Sequence, residues 1–117
     1  MLRGAAITVV MAIAAVGPGI SVGEARHSDV KGLVLVNGYL LVGPGGSPRL
    51  CTALSKAEPP RCRRPFLIVR HLPLDDRNRL TTARAGRTRW SPEPVQILGR
   101  VDHDVLQVSS TARASSA

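Results

Sequence analysis

Aromatic side chains are scarce in this chain of 117 residues, which holds one Trp, one Tyr and one Phe. Sheets that bind single-stranded nucleic acid combine a basic groove with several stacking rings. The scarcity therefore weighs against specific nucleic-acid recognition. Cysteine is scarce too, with only Cys51 and Cys62. Their spacing excludes the Cys-x-x-Cys arrangement that lowers a thiol pKa. Neither stands near the start of the chain, so lipid attachment there finds no support, and no twin-arginine pair occurs in that stretch. Carboxylates number eight, and no two form an evident acid–base couple, since Asp75 and Asp76 are merely adjacent. A Gly-x-Ser-x-Gly elbow is missing, and Ser91 is followed by Pro92. The expectation is a protein that is not an enzyme, with no catalytic residues and no cofactor.

Long hydrophobic runs are also missing. Ala5–Val16 is apolar apart from Thr8, and Gly17-Pro18-Gly19 then interrupts any helix. A membrane span needs roughly 20 apolar residues, more than this run supplies. With Arg3 ahead of it and the small residues Ser21-Val22-Gly23 or Gly23-Glu24-Ala25 behind it, the segment reads as a secretory signal. Residues 1–25 are assigned to that signal, with cleavage near Gly23 or Ala25. The product would be exported, extracellular or associated with the cell envelope. An oxidising compartment and an even cysteine count point to a Cys51–Cys62 disulfide.

What the chain does have is positive charge: sixteen Lys plus Arg against eight Asp plus Glu, a formal net charge of +8. Such a balance favours anionic partners, here an anionic cell-wall polymer, a membrane surface or another envelope protein. Arg77, Arg79, Arg84, Arg87 and Arg89 cluster in sequence and form the candidate anion-binding stretch. Trp90 beside them reads as a core anchor at the start of the next strand. Of the three histidines, His27 lies in the leader, His71 precedes Asp75 and Asp76, and His103 stands between Asp102 and Asp104. Alternate residues of a strand share a face, so Asp102 and Asp104 would point away from His103. A polar turn accounts for them, and no metal site is expected.

Turn residues divide the remainder into short strands. Residues 26–37 form a leader, with Glu24–Asp29 polar and flexible, and a first strand through Val30–Val36. Asn37-Gly38 then makes a tight turn or a bulge within a longer strand. Residues 38–108 form a single disulfide-stapled domain. Tyr39–Val42 and Arg49–Cys51 pair as a hairpin around Gly43–Pro48, because that run strings together breakers. Thr52–Ala57 can make one helical turn, and Phe66–Val69 reads as a buried strand. Leu72–Arg89 lacks a period and reads as a long loop with at most a helical turn. In Val95–Val101 the residues Val95, Ile97, Gly99 and Val101 share one face, Asp102-His103-Asp104 turns, and Val105–Val108 closes the domain. Residues 109–117 read as a disordered tail. The resulting fold class is all-β after an N-terminal signal helix: a small antiparallel barrel or sandwich, five-stranded and OB-like.

Two resemblances attach to these motifs. Cys51-Thr52 and Pro59-Pro60-Arg61-Cys62 make the cysteine loop look like a stretched Bowman–Birk inhibitor loop. That resemblance implies a secreted serine-protease inhibitor acting through Leu54 or Lys56, although the ring is longer and the family's dense cysteine framework is missing. More of the chain, about Gly38–Val108, is similar to small exported actinobacterial β-domain proteins of uncharacterised function, often lipid-anchored. The residues involved are Tyr39–Val42, Leu50-Cys51, Pro59-Pro60-x-Cys62, Phe66–Val69, Trp90 and the Val95–Val101 strand. It implies a disulfide and a β fold, and no activity. The function expected is thus a non-catalytic binding or structural module of the cell envelope.

Overall fold

The computed structural model describes residues 19–28 and 30–113. Most of the segment read as a signal, Met1–Pro18, lies outside the described residues, as do Asp29 and the last four of the tail. In chain order the elements are β1 (Ile20–Ser21), α1 (Val22–Arg26), β2 (Val34–Val42), β3 (Arg49–Leu54), β4 (Cys62–Arg70), α2 (Leu74–Leu80), β5 (Ala83–Ala85), β6 (Thr88–Trp90), β7 (Val95–Asp102) and β8 (Val105–Arg113). Among the described residues no helix is long and apolar enough to cross a membrane.

β2 organises the sheet, because its β-branched and leucine residues suit a pleated surface and both of its edges are used. Its inward positions Val36, Leu40 and Val42 are 0%, 0% and 5% exposed. Val36 is paired with both Ile20 of β1 and Ile97 of β7, and Leu41 with both Arg49 of β3 and Trp90 of β6. The strands β2, β3, β4, β8 and β7 pair in that order, and β7 returns to β2. The all-β fold is thus a partly closed five-stranded ring, OB-like rather than a clean barrel, with β5, β6 and β1 added at β2. One long pairing departs from the antiparallel expectation: β4 and β8 run parallel, Ile68 opposite Val105. No hairpin joins these two strands, so nothing local forces them to be antiparallel.

The expected hairpin forms, with Tyr39 opposite Cys51, Leu40 opposite Leu50 and Leu41 opposite Arg49. Asn37-Gly38 is not a turn but the middle of β2. A Cβ on Gly38 would lie 2.8 Å from Leu50 Cγ and 2.9 Å from the Cys51 carbonyl oxygen, so glycine is what lets β3 cross so closely. Thr52–Leu54 belongs to β3 rather than to a helical turn, and a bulge at Cys51/Ala53 adjusts the register beside the disulfide. The Leu72–Arg89 stretch is more ordered than a long loop, since it holds α2 and the β5–β6 hairpin. The tail assignment also shortens: Ser109–Arg113 continues β8, with Arg113 opposite Val95. Its polar side chains carry little apolar signal, but the backbone completes the β7 ladder.

The leader reading changes most. Glu24–Asp29 was expected to be flexible, whereas Val22–Arg26 is a helix with a capping box. Ser21 Oγ accepts the Glu24 amide proton at 3.1 Å, and Glu24 Oε1 accepts the Ser21 amide proton at 3.0 Å. The backbone bond from Ser21, then its hydroxyl, hold the Glu24 carboxyl below its ordinary value. A depressed carboxylate pKa supports the fold at neutral pH, and that support fades as pH falls through the carboxylate range. Val22 and Ala25 are 1% and 0% exposed and belong to the core. A cut beside Gly23 or Ala25 would therefore pass through packed structure.

The core is aliphatic throughout, built around Leu40, Leu50, Leu67, Leu80, Ile97 and Leu106. One polar side chain is fully enclosed near it. Ser91, 1% exposed, accepts the Leu40 amide proton through Oγ at 2.9 Å and donates its own amide to the Leu40 carbonyl at 2.9 Å. It carries the chain from β6 into β7 along one edge of β2. Ser91→Ala leaves a buried amide without its acceptor and is expected to cost about 1–3 kcal/mol. Urea denaturation checks this; an unchanged midpoint would show that the bond contributes nothing.

Candidate binding surface

Alternation along the strands sorts the side chains into two faces. Leu40, Leu50 and Leu67 stand opposite one another and are each 0% exposed, so this row points inward. The rows on either side of it must point outward. One runs Tyr39–Cys51–Phe66, and the other runs Trp90–Leu41–Arg49–Ile68. Trp90 was expected as a core anchor. It is half-buried on this outer face instead, because it pairs with Leu41, whose neighbours Leu40 and Val42 take the inward positions. Tyr39 and Phe66 are half-buried as well. The guanidinium of Arg49 lies over the Phe66 ring, 4.8 Å from its centroid.

Two open recesses adjoin on this face. The first, about 490 Å³, is lined by Tyr39, Trp90, Pro60 and Pro92 together with Leu54, Ser55, Lys56 and Glu58 of the disulfide hairpin. The second, about 450 Å³, is lined by Leu41, Arg49, Ile68 and Arg70 and by the Gly43–Ser47 loop. Tyr39 and Leu41 are two residues apart on the outward side of β2, which places the recesses side by side on this face. A larger recess of about 880 Å³ sits between α1 and the β7–β8 turn, lined by Arg26, Lys31, Arg100 and His103. Its wall includes Val30, directly beside residue 29, which is not described.

The Cys51–Cys62 bridge is present and closes the β3–β4 hairpin. Leu54 is a paired strand residue opposite Cys62, while Lys56 is exposed on the connecting loop. Ser55 ties that loop across its base: its amide donates to the Arg61 carbonyl at 2.9 Å and its Oγ accepts the Arg61 amide at 2.9 Å.

The five arginines read from the sequence are distributed over neighbouring elements. Arg77 and Arg79 lie on α2, Arg84 on β5, Arg87 in the β5–β6 turn and Arg89 on β6. Arg84 is directly opposite Arg89. Arg89 donates to Asn78 on α2, and Arg79 donates to Thr111 Oγ1 at 2.8 Å. Arg113, which sequence reasoning missed inside the supposed tail, joins the group by donating to the Arg79 carbonyl at 3.1 Å. Its signal was hidden, since nothing local shows that β8 continues so far. Arg77 is half-buried, with Nε lacking a hydrogen-bond partner. Among the described residues Arg79 forms the one Lys/Arg–carboxylate ion pair, with Asp76 at 3.5 Å. Arg61, Arg63, Arg64, Arg70, Arg87 and Arg100 are exposed and form no ion pair with a carboxylate among the described residues.

The histidines stay apart. His27 Nδ1 donates to the Gly23 carbonyl oxygen at 2.9 Å, His71 is exposed after β4, and His103 lies 3.7 Å from an exposed Asp102 carboxylate at the β7–β8 turn. Among the described residues no three His, Cys, Asp or Glu side chains gather as metal ligands. No known family, curated protein or solved structure matches the chain.

Proposed function

We propose that this protein is an exported, non-catalytic binding module of the cell envelope that holds anionic polymers. The observation that carries the reading is the uncompensated charge: a single Lys/Arg–carboxylate pair among the described residues, against a net +8 for the chain. Exposed guanidinium groups on a rigid β scaffold attract polyanions without needing a deep pocket. The disulfide is compatible with an oxidising, extracellular setting, and the apolar stretch before Gly19 supports export.

Retention on an insoluble cell-wall fraction, measured as salt is raised, tests the reading. Exposed charges act over about 10 Å at 0.1 M salt and about 3 Å at 1 M. Strong retention at low salt is expected, with release well below 1 M. Retention no greater than that of a neutral protein of equal size would reject the reading.

A further inference from the structure

We infer that the outer face of β6, β2, β3 and β4 is a glycan platform, on which a saccharide ring stacks against Trp90 and Tyr39 while the glycan's anionic groups lie against Arg49 and Arg70. The inference rests on the anionic-polymer reading and names where, and through what chemistry, such a polymer is held.

The chain's use of its three rings carries the argument. The core is wholly aliphatic, although aromatic side chains offer the largest burial per residue. All three rings of the chain stand instead on adjacent outward rows of one surface. Tyr39 and Phe66 flank the fully enclosed Cys51, while Tyr39 and Trp90 line an open recess where a further ring can stack on them.

The polar groups decide between ligands. A saccharide is apolar on the C–H faces of its ring and polar around its rim. The first recess matches this, with rings and prolines as its apolar wall and Lys56 and Glu58 as donor and acceptor. Its size falls within the roughly 300–1,000 Å³ typical of small-ligand sites. The adjoining recess presents Arg49 and Arg70 with no carboxylate in its lining, and it suits a carboxylate or phosphate on the next unit of the same chain. Neighbouring recesses on one face thus offer a stacking subsite of balanced charge beside a cationic one.

Calorimetric titration of the folded, disulfide-intact protein at low salt tests this with three probes: oligogalacturonate, inorganic polyphosphate and oligo-dT. Oligogalacturonate is expected to bind, and Trp90→Ala to weaken it about tenfold, the effect of losing one stacking contact of about 1.4 kcal/mol. Polyphosphate, which has no rings, is expected to bind through the arginines with its affinity unchanged by Trp90→Ala. Trp90→Phe keeps a ring and is expected to restore most of the oligogalacturonate affinity. Should Trp90→Ala fail to fold, Tyr39→Ala and Arg49→Gln report on the same face. Equal binding of both polyanions, indifferent to all these variants, would overturn the platform and leave the anionic reading standing. A loss confined to oligo-dT would overturn it in favour of nucleic acid. Failure of every probe to bind would remove both.

Discussion

A chain beginning at Arg26 is expected to melt about 20 °C below one beginning at Gly19. The shorter chain lacks β1, the capping box and two buried side chains, Val22 and Ala25. Burying a valine contributes about 1.5–3 kcal/mol, and loss of a serine cap costs about 0.5–2 kcal/mol. With the cavity left behind, a deficit of about 4 kcal/mol follows. Domains of this size hold only about 5–15 kcal/mol, and each kcal/mol moves the midpoint by about 4–8 °C. Thermal unfolding of the two chains by circular dichroism decides the matter, and coincident curves would show that Ile20–Ala25 is dispensable. The same packing bears on export. A protein secreted from its own N-terminus is expected to begin no later than Ile20, because a later cut removes core. Intact mass of the secreted product gives the answer directly, and a start at Glu24 or Arg26 in a stable protein would contradict it.

Reduction of the Cys51–Cys62 bridge is the second large effect. The bridge closes a short hairpin loop with a sequence separation of 11, for which chain entropy gives about 3 kcal/mol. Cys51 is 0% exposed, so its replacement must also fit a closed space. A Cys51→Ala, Cys62→Ala chain is expected to unfold in urea with about 3 kcal/mol less stability than the oxidised protein. The bridge itself is read from a mass increase of about 2 Da on reduction. Equal urea midpoints with and without reductant would show that the hairpin holds without its staple. Since Lys56 and Glu58 of the glycan recess lie inside this loop, reduction is also expected to weaken oligogalacturonate binding.

Legibility in the sequence followed how local the determining interaction was. Tyr39–Val42 with Arg49–Cys51 could be read because the breakers of Gly43–Pro48 leave a hairpin as the short connection. The Val95–Val101 alternation and the turn after it were legible for the same reason, although Asp102 still pairs with Val105 and the turn is His103-Asp104 alone, with His103 at a positive φ of 60°. The parallel pairing of β4 with β8 was not, because no neighbouring residues encode it. The α1 cap was written plainly as Ser21…Glu24, but small residues at the same place also suit a peptidase. Burial of Val22 and Ala25, which only tertiary packing reveals, decides between the two. The arginines were visible as a cluster. The aromatic face was not, because Tyr39, Phe66 and Trp90 lie far apart in sequence and converge only through the registers of β2, β3, β4 and β6.

The opposed pair Arg84 and Arg89 has a consequence for how copies of this protein meet. β5 ends the sheet path, leaving one side of the strand without a partner among the described residues, and free strand edges invite another chain to add on. β5 is only three residues long, with a cation at its centre and a second one facing it across the hairpin. Like charges opposite one another weaken the hairpin slightly, and the same repulsion turns away an identical edge from a second molecule. Colloidal stability at high concentration is thus set in part by two guanidinium groups, which also tie the hairpin through Asn78 and the Gly86 carbonyl.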